Sequence, residues 1–191
     1  MSGRFAIRCA SCRGWFGVPF ALELTTAGVL ALVLSRFAGH ADAAGFAFIG
    51  ALGVALAAVD VAVQRLPDRL TLPLYPGLLV LFAIAAAIEG RPGSLLRALL
   101  GCLVLGGSYF VLGVLSRGQL GAGDVKLAGA IGIALGWLGW PTLLFGASLG
   151  FLLMGVVSFG LLVLRRVTLR HSLSFGPFML GGALVAILTA A

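Results

Sequence analysis

The stretch GAGDVKLAGAIGIALGWL, residues 121–138, places one aspartate and one lysine at the start of an otherwise apolar, glycine-rich run. An ionised aspartate near lipid costs roughly 2.5 to 3.5 kcal/mol, so a carboxylate here indicates a functional site. Gly121 and Gly123 precede Asp124, and residues without a Cβ permit unusual backbone angles and close approach of another backbone. We therefore expect another polypeptide segment to lie against these glycines.

The whole chain is as apolar as this stretch, with 61% hydrophobic residues, 10% charged residues and a mean hydropathy of +1.15. Apolar runs of about 20 residues recur, and each is long enough to cross about 30 Å of hydrocarbon as a helix. These runs predict an all-α, polytopic helix bundle in a lipid bilayer. The net charge of +7 comes from residues scattered at segment ends, so no nucleic-acid partner is expected.

The apolar runs predict about seven transmembrane helices, at residues 19–37, 44–64, 70–88, 94–115, 124–138, 142–164 and 175–188. Residues 1–18 would form a short cytoplasmic segment, and residues 19–191 the membrane domain. A cleaved signal peptide is rejected because its basic region would be about 20 residues long and Glu23 would lie in its apolar part.

Positive charges divide unevenly between alternate loops of this scheme. One side holds Arg4, Arg8, Arg13, Arg65, Arg69, Arg117, Lys126, Arg165, Arg166 and Arg170, and the other holds Arg36, Arg91 and Arg97. Because positive residues accumulate on the cytoplasmic side, the N-terminus is predicted inside and the C-terminus outside. Asp60 and Asp124 then lie at the same depth, near the cytoplasmic face.

The other four acidic residues have simpler interpretations. Asp42 and Glu89 lie in predicted outside loops or segment ends, where we expect them to be solvated. Asp68 precedes the third span and is interpreted as its N-cap. Glu23 lies near the start of the first span, within reach of the interface or a neighbouring helix.

Asp60 and Asp124 remain as a pair inside the bundle. Two carboxylates that share a site cannot both ionise cheaply, so one keeps a proton while the other acts as a base. Such a pair activates water against a peptide carbonyl in aspartic peptidases, and no metal or cofactor is expected.

A transporter or proton pathway is the alternative. It is disfavoured because the chain has no internal repeat and seven spans do not divide evenly. A non-enzymatic assembly scaffold is also disfavoured, because such a role does not explain two carboxylates that cost free energy to place near lipid.

Three motifs resemble the bacterial type IV prepilin peptidases, which are GxGD-type membrane aspartic peptidases. The family pattern D-x-x-x-x-x-[LI]-P-[DN]-x-L-T-L-P is similar to Asp60–Pro73, G-x-G-D-x-K-L to Gly121–Leu127, and F-G-P-F to Phe175–Phe178. The resemblance implies that Asp60 and Asp124 are the catalytic pair. It also implies that pilin-like precursors are the substrates, cut after a glycine where a basic leader meets an apolar helix.

The N-terminus departs from the longer members of that family, which carry two C-x-x-C pairs and also N-methylate the product. Here only Cys9 and Cys12 form such a pair, so the chain resembles a short, peptidase-only form, and methyltransferase activity is not expected. Structural zinc needs four ligands, so these thiols are predicted to be metal-free, with a site completed between two chains left open. Apart from such a shared site, the sequence does not indicate whether the chain forms homo-oligomers.

Lys126 has two interpretations. Residues i and i+2 do not face each other on a helix, so it is not an obvious partner of Asp124. Its side chain either extends to the inner headgroups or helps to bind the substrate together with Gly121 and Gly123. Gly129 and Gly132 are interpreted as packing surfaces rather than parts of the site.

Overall fold

The computed structural model describes residues 20–116, 120–164 and 174–190, and the regular structure in these ranges is entirely helical. The helices are α1 (Ala21–Arg36), α2 (Ala43–Val63), α3 (Asp68–Thr71), α4 (Leu74–Glu89), α5 (Pro92–Leu115), α6 (Ala122–Leu138), α7 (Trp140–Val163) and α8 (Gly176–Thr189). Helices α3 and α4 continue as one apolar span, Asp68–Glu89. The described residues thus form seven helical spans, and the predicted all-α membrane bundle is confirmed.

The seven described spans differ in length. Four are long and apolar enough to cross a bilayer: Ala43–Val63, Asp68–Glu89, Pro92–Leu115 and Trp140–Val163. Helices α1, α6 and α8 have 16, 17 and 14 residues. At 1.5 Å per residue they extend only about 21 to 26 Å, less than the hydrocarbon thickness. Length and composition therefore support four of the seven predicted crossings.

Helix α6 occupies the centre of the bundle, which explains how a short helix is accommodated. Every residue from Leu127 to Trp137 is buried, so this helix contacts protein on all sides instead of lipid. Its glycines permit this packing. A Cβ on Gly132 would collide with the carbonyl oxygen of Gly101, and one on Gly136 would lie 2.7 Å from the carbonyl oxygen of Arg97. The backbones of α5 and α6 are thus in direct contact, which confirms the packing role expected of Gly132.

Helices α2 and α6 run antiparallel, and their contacts define two ends of the bundle. At one end, the start of α2 meets the end of α6, where Trp137 Nε1 donates a hydrogen bond of 3.0 Å to Asp42 Oδ2. We name this the tryptophan end. At the other, the aspartate end, Asp60 and Asp124 are close enough for their charges to interact. The antiparallel arrangement therefore places the predicted catalytic pair together.

Arginines at the tryptophan end bind helix termini. Arg36 donates to the carbonyl oxygens of Leu188 (3.3 Å) and Ala190 (2.5 Å), and Arg97 donates to those of Gly136 (3.0 Å) and Trp137 (2.9 Å). The last carbonyls of a helix lack intrahelical donors, so a cation there is favourable. Arg65, Arg69 and Lys126 instead flank the aspartate end. The described members of the two predicted charge groups therefore lie at opposite ends of the bundle.

The predicted solvation is wrong for Asp42, whereas Glu89 stays partly exposed, at 18% of its side chain, and is also bound by protein groups. Asp42 is only 3% exposed, and Arg91 forms ion pairs with both carboxylates, at 3.2 Å to Asp42. The N–H of Ala41 donates to Glu89 Oε1 at 2.8 Å. The physical reason is that the α1–α2 connection packs against the ends of α4 and α6. A chain of ring contacts through Phe37, Phe46, Phe82 and Trp137 covers the space between these elements.

The contact between α5 and α6 leads to a stability prediction. Gly132→Val should destabilise the fold by about 1 to 3 kcal/mol, because the new side chain would force the two backbones apart. Gly107→Val on α5 is the matched control, since a Cβ at Gly107 has no neighbour within 4 Å. The check is thermal unfolding of both variants in detergent. Equal melting temperatures would contradict the packing described for α6.

Candidate active site

Asp60 lies in the last turn of α2 and is 4% exposed. Its Oδ2 atom accepts a hydrogen bond of 3.0 Å from the N–H of Gly176 and a second from the hydroxyl of Ser174. Gly176 is the first residue of α8, where backbone N–H groups have no intrahelical partner and favour a negative charge. A Cβ on Gly176 would lie 2.5 Å from Oδ2, so this close approach requires glycine.

Aromatic packing holds the segment that contacts Asp60. The ring of Phe175 lies 5.2 Å from that of Phe151 on α7 and 6.0 Å from that of Tyr109 on α5. Phe175 is 7% exposed, so it anchors its neighbours against the bundle. Sequence analysis did not assign Ser174 or Gly176 to the site. The motif Phe175–Phe178 marked the region, but nothing in it indicated a contact with Asp60.

Asp124 lies in the first turn of α6 and is partly exposed. The backbone of Gly121 lies close to its carboxylate, since a Cβ on Gly121 would lie 3.3 Å from Asp124 Oδ2. Both carboxylates therefore lie at the N-terminal end of a helix, with Asp60 bound to the first N–H of α8 and Asp124 in the first turn of α6. The two carboxylates interact electrostatically across the aspartate end.

The glycines of the GxGD motif have backbone angles that other residues also adopt. Gly121 has φ −66° and ψ 142°, and the glycines with positive φ among the described residues are Gly39, Gly90 and Gly139. Gly123 lies within α6, so neither glycine uses the conformational freedom that a missing Cβ permits. At Gly123 the missing side chain has a packing reason instead, because a Cβ there would lie 2.8 Å from Cβ of Leu66.

Lys126 forms an ion pair of 2.6 Å with Asp68, and both side chains are substantially exposed, at 38% and 58%. The N-cap interpretation of Asp68 is wrong, since α3 begins at Asp68 and its N-cap is Pro67, without a side-chain hydrogen bond. The Tyr75 hydroxyl donates to the carbonyl oxygen of Lys126 at 2.6 Å. A Cβ on Gly129 would collide with the same hydroxyl, so Gly129 is a packing position as expected.

The two sequence motifs therefore pack against each other. Leu66 from the first motif contacts Gly123 in the second, and Asp68 from the first pairs with Lys126 in the second. These contacts fix the start of α6 relative to the end of α2, and hence Asp124 relative to Asp60. Lys126 also lines an open groove of about 320 Å³ between α4, α5 and α6. Cys9 and Cys12 lie outside the described residues.

The fold and the site define a polytopic helical membrane protein with two acidic side chains paired at one end of its bundle. Residues 46–158 match the model of the Type IV leader peptidase family. The chain belongs to this family, and the matched region contains both Asp60 and Asp124.

Three similar proteins are named prepilin leader peptidase/N-methyltransferase. They come from Aeromonas hydrophila (33% identity, 95% of this chain, 62% of that protein), Dickeya chrysanthemi (38%, 75% and 52%) and Klebsiella pneumoniae (38%, 66% and 56%). The chain thus spans between half and two thirds of the length of these relatives. The expected lack of methyltransferase activity stays a prediction. No solved structure is significantly similar to the chain.

Packing between the motifs can be tested with a double mutant. Gly123→Ala should lower the melting temperature, because its Cβ would overlap Leu66, and overpacking costs about 1 to 3 kcal/mol. Combining it with Leu66→Gly, which removes the overlapping atoms, should cost less than the sum of the two single changes. If Gly123 only keeps space open for another chain, the two changes would be additive in thermal unfolding.

Proposed function

We propose that this protein is a membrane aspartic endopeptidase that removes the short basic leader of type IV pilin-like precursors. The observation that carries the proposal is the pairing of Asp60 and Asp124 at one end of the bundle, within the region that matches the family. The names of the relatives support the substrate class.

The proposed reaction uses the two carboxyl groups as an acid and a base. One carboxylate takes a proton from water, whose oxygen attacks the peptide carbonyl, while the protonated partner donates its proton to the carbonyl oxygen. The C–N bond of the resulting tetrahedral intermediate breaks as the amine takes up the proton that the first carboxyl group received from water. The second carboxylate takes back a proton from a hydroxyl group of the intermediate, which restores the pair. Hydrogen bonds from Ser174 and Gly176 fix the orientation of Asp60. Asp124 is the more exposed of the pair, so water and substrate reach the site from its side.

The precursor is proposed to meet the site at the cytoplasmic face. Arg65, Arg69 and Lys126 flank the aspartate end, and cations of loops concentrate on the cytoplasmic side of a membrane. A scissile bond at this depth lies where a basic leader joins an apolar helix. The groove beside Lys126 opens next to the first turn of α6, and we propose that Lys126, Gly121 and Gly123 contribute to substrate binding there.

The aspartate pair gives the central prediction. Asp60→Asn and Asp124→Asn should each reduce cleavage by at least about 100-fold, because either amide removes the acid–base function. The assay uses purified protein and a pilin-like precursor with a reporter on each side of its leader junction. Glu23→Gln is the control, since Glu23 is an exposed carboxylate on α1.

Two results would count against the proposal. Substantial turnover by either asparagine variant would remove the aspartates from the mechanism. Cleavage at a position within the apolar helix, away from the leader junction, would contradict the proposed depth of the site. Melting temperatures of the variants, measured beside the parent, show that lost activity does not come from unfolding.

The contact between Gly176 and Asp60 gives a second prediction. Gly176→Ala should strongly reduce cleavage although both aspartates are present, because the methyl group would displace the Asp60 carboxylate. Ser174→Ala should have a smaller effect, since it removes one donor and leaves the N–H of Gly176. Gly155→Ala is the control, as a Cβ there meets nothing within 4 Å. Normal activity of Gly176→Ala would refute the role given to α8.

A further inference from the structure

A second cluster of polar side chains lies at the tryptophan end, remote from the proposed reaction. Ligand atoms of His40, Asp42 and Glu89 lie within 4.8 Å of one another. Asp42 and Asp60 are 18 positions apart along α2, which corresponds to about 27 Å at 1.5 Å per residue. The cluster therefore has no part in the peptidase mechanism, and its composition calls for a separate explanation.

Asp42 carries an observation that an ion pair alone does not explain. Its side chain is 4% exposed, and its Oδ1 atom has no hydrogen-bond partner among the described residues. Both donors, Trp137 Nε1 and Arg91 Nη2, bind the other oxygen, Oδ2. Buried carboxylate oxygens are normally paired, so an unpaired one indicates a missing partner. That partner must be positively charged or a donor.

We propose that His40, Asp42 and Glu89 bind a divalent transition-metal ion of the zinc type. One imidazole and two carboxylates are a donor set that suits such an ion, with water completing the coordination. His40 is exposed, so an ion has access from solvent. The two carboxylates and Arg91 together carry a net charge of −1 when His40 is neutral, which attracts a cation.

The surroundings of the cluster resemble the outer shell of a metal site, in which carboxylate ligands are themselves hydrogen-bonded. Trp137 and Arg91 bind Asp42 through Oδ2 and leave Oδ1 for the ion. The N–H of Ala41 binds Glu89 Oε1 and Arg91 binds Glu89 Oε2, and each of these oxygens keeps a second lone pair for the ion. Two ligand atoms on one zinc ion are at most about 4.2 Å apart, since each bond is about 2.1 Å. The ligands must therefore move slightly inward, and the exposed ring of His40 is free to do so.

An ion at this position would link the α1–α2 connection to the end of α4. His40 and Asp42 precede α2, and Glu89 is the last residue of α4. Binding in the folded state alone stabilises that state. The proposed role is therefore structural, at the end of the bundle opposite the aspartate pair.

The experiment measures zinc binding by the purified full chain in detergent, after removal of metals with a chelator. All variants carry Cys9→Ser and Cys12→Ser, so that these two thiols do not compete for zinc in the assay. Calorimetric titration with zinc should show one ion per chain. His40→Ala and Glu89→Gln should each weaken binding at least about tenfold. Glu23→Gln, which changes an exposed carboxylate on α1, should leave it unchanged.

Thermal unfolding separates the binding site from a general loss of structure. Without zinc, His40→Ala should melt close to its parent, since His40 is exposed and has no packing role. With zinc, the parent should melt at a higher temperature and His40→Ala should not. The proposal is overturned if the parent binds no stoichiometric zinc, or if both variants bind it with undiminished affinity.

Discussion

The burial of α6 on all sides is the constraint on which the rest of this structure depends. The backbones of α5 and α6 are in direct contact, because Gly132 and Gly136 have no side chains to separate them. Once α6 is enclosed, its first turn has a fixed position relative to α2. Its last turn is fixed as well, through the hydrogen bond from Trp137 to Asp42. Both polar ends of the bundle follow from this one packing arrangement.

The aspartate end illustrates how a membrane helix bundle accommodates two costly carboxylates. Each aspartate side chain lies close to the first turn of a helix, where backbone N–H groups have no intrahelical partner and favour a negative charge. Asp60 accepts a hydrogen bond from the first N–H of α8, and Asp124 is itself a residue of the first turn of α6. Glycines at Gly121 and Gly176 keep these approaches free of side chains. Backbone groups thus provide polar surroundings for the two carboxylates that lipid does not provide.

The basic residues have different roles at the two ends of the bundle. At the tryptophan end, Arg36 and Arg97 bind the carbonyl groups that terminate helices, and Arg91 binds the buried Asp42 and the partly exposed Glu89. At the aspartate end, Lys126 pairs with the more exposed Asp68. The first three stabilise helix ends and buried charge inside the protein. Lys126 instead remains accessible beside a groove, as the proposed contact with substrate requires.

The sequence by itself determined the class of fold and the number of helical segments, and it predicted that Asp60 and Asp124 form a pair. Apolar periodicity and span length are local properties of the chain, and the two aspartate motifs are short, with specific spacing. Only the tertiary structure decided which polar groups meet. It buried Asp42 beside Trp137, brought Ser174 and Gly176 to Asp60, and placed Leu66 against Gly123. Such contacts join residues far apart in the chain, and their distances depend on how the helices pack, which no local pattern contains.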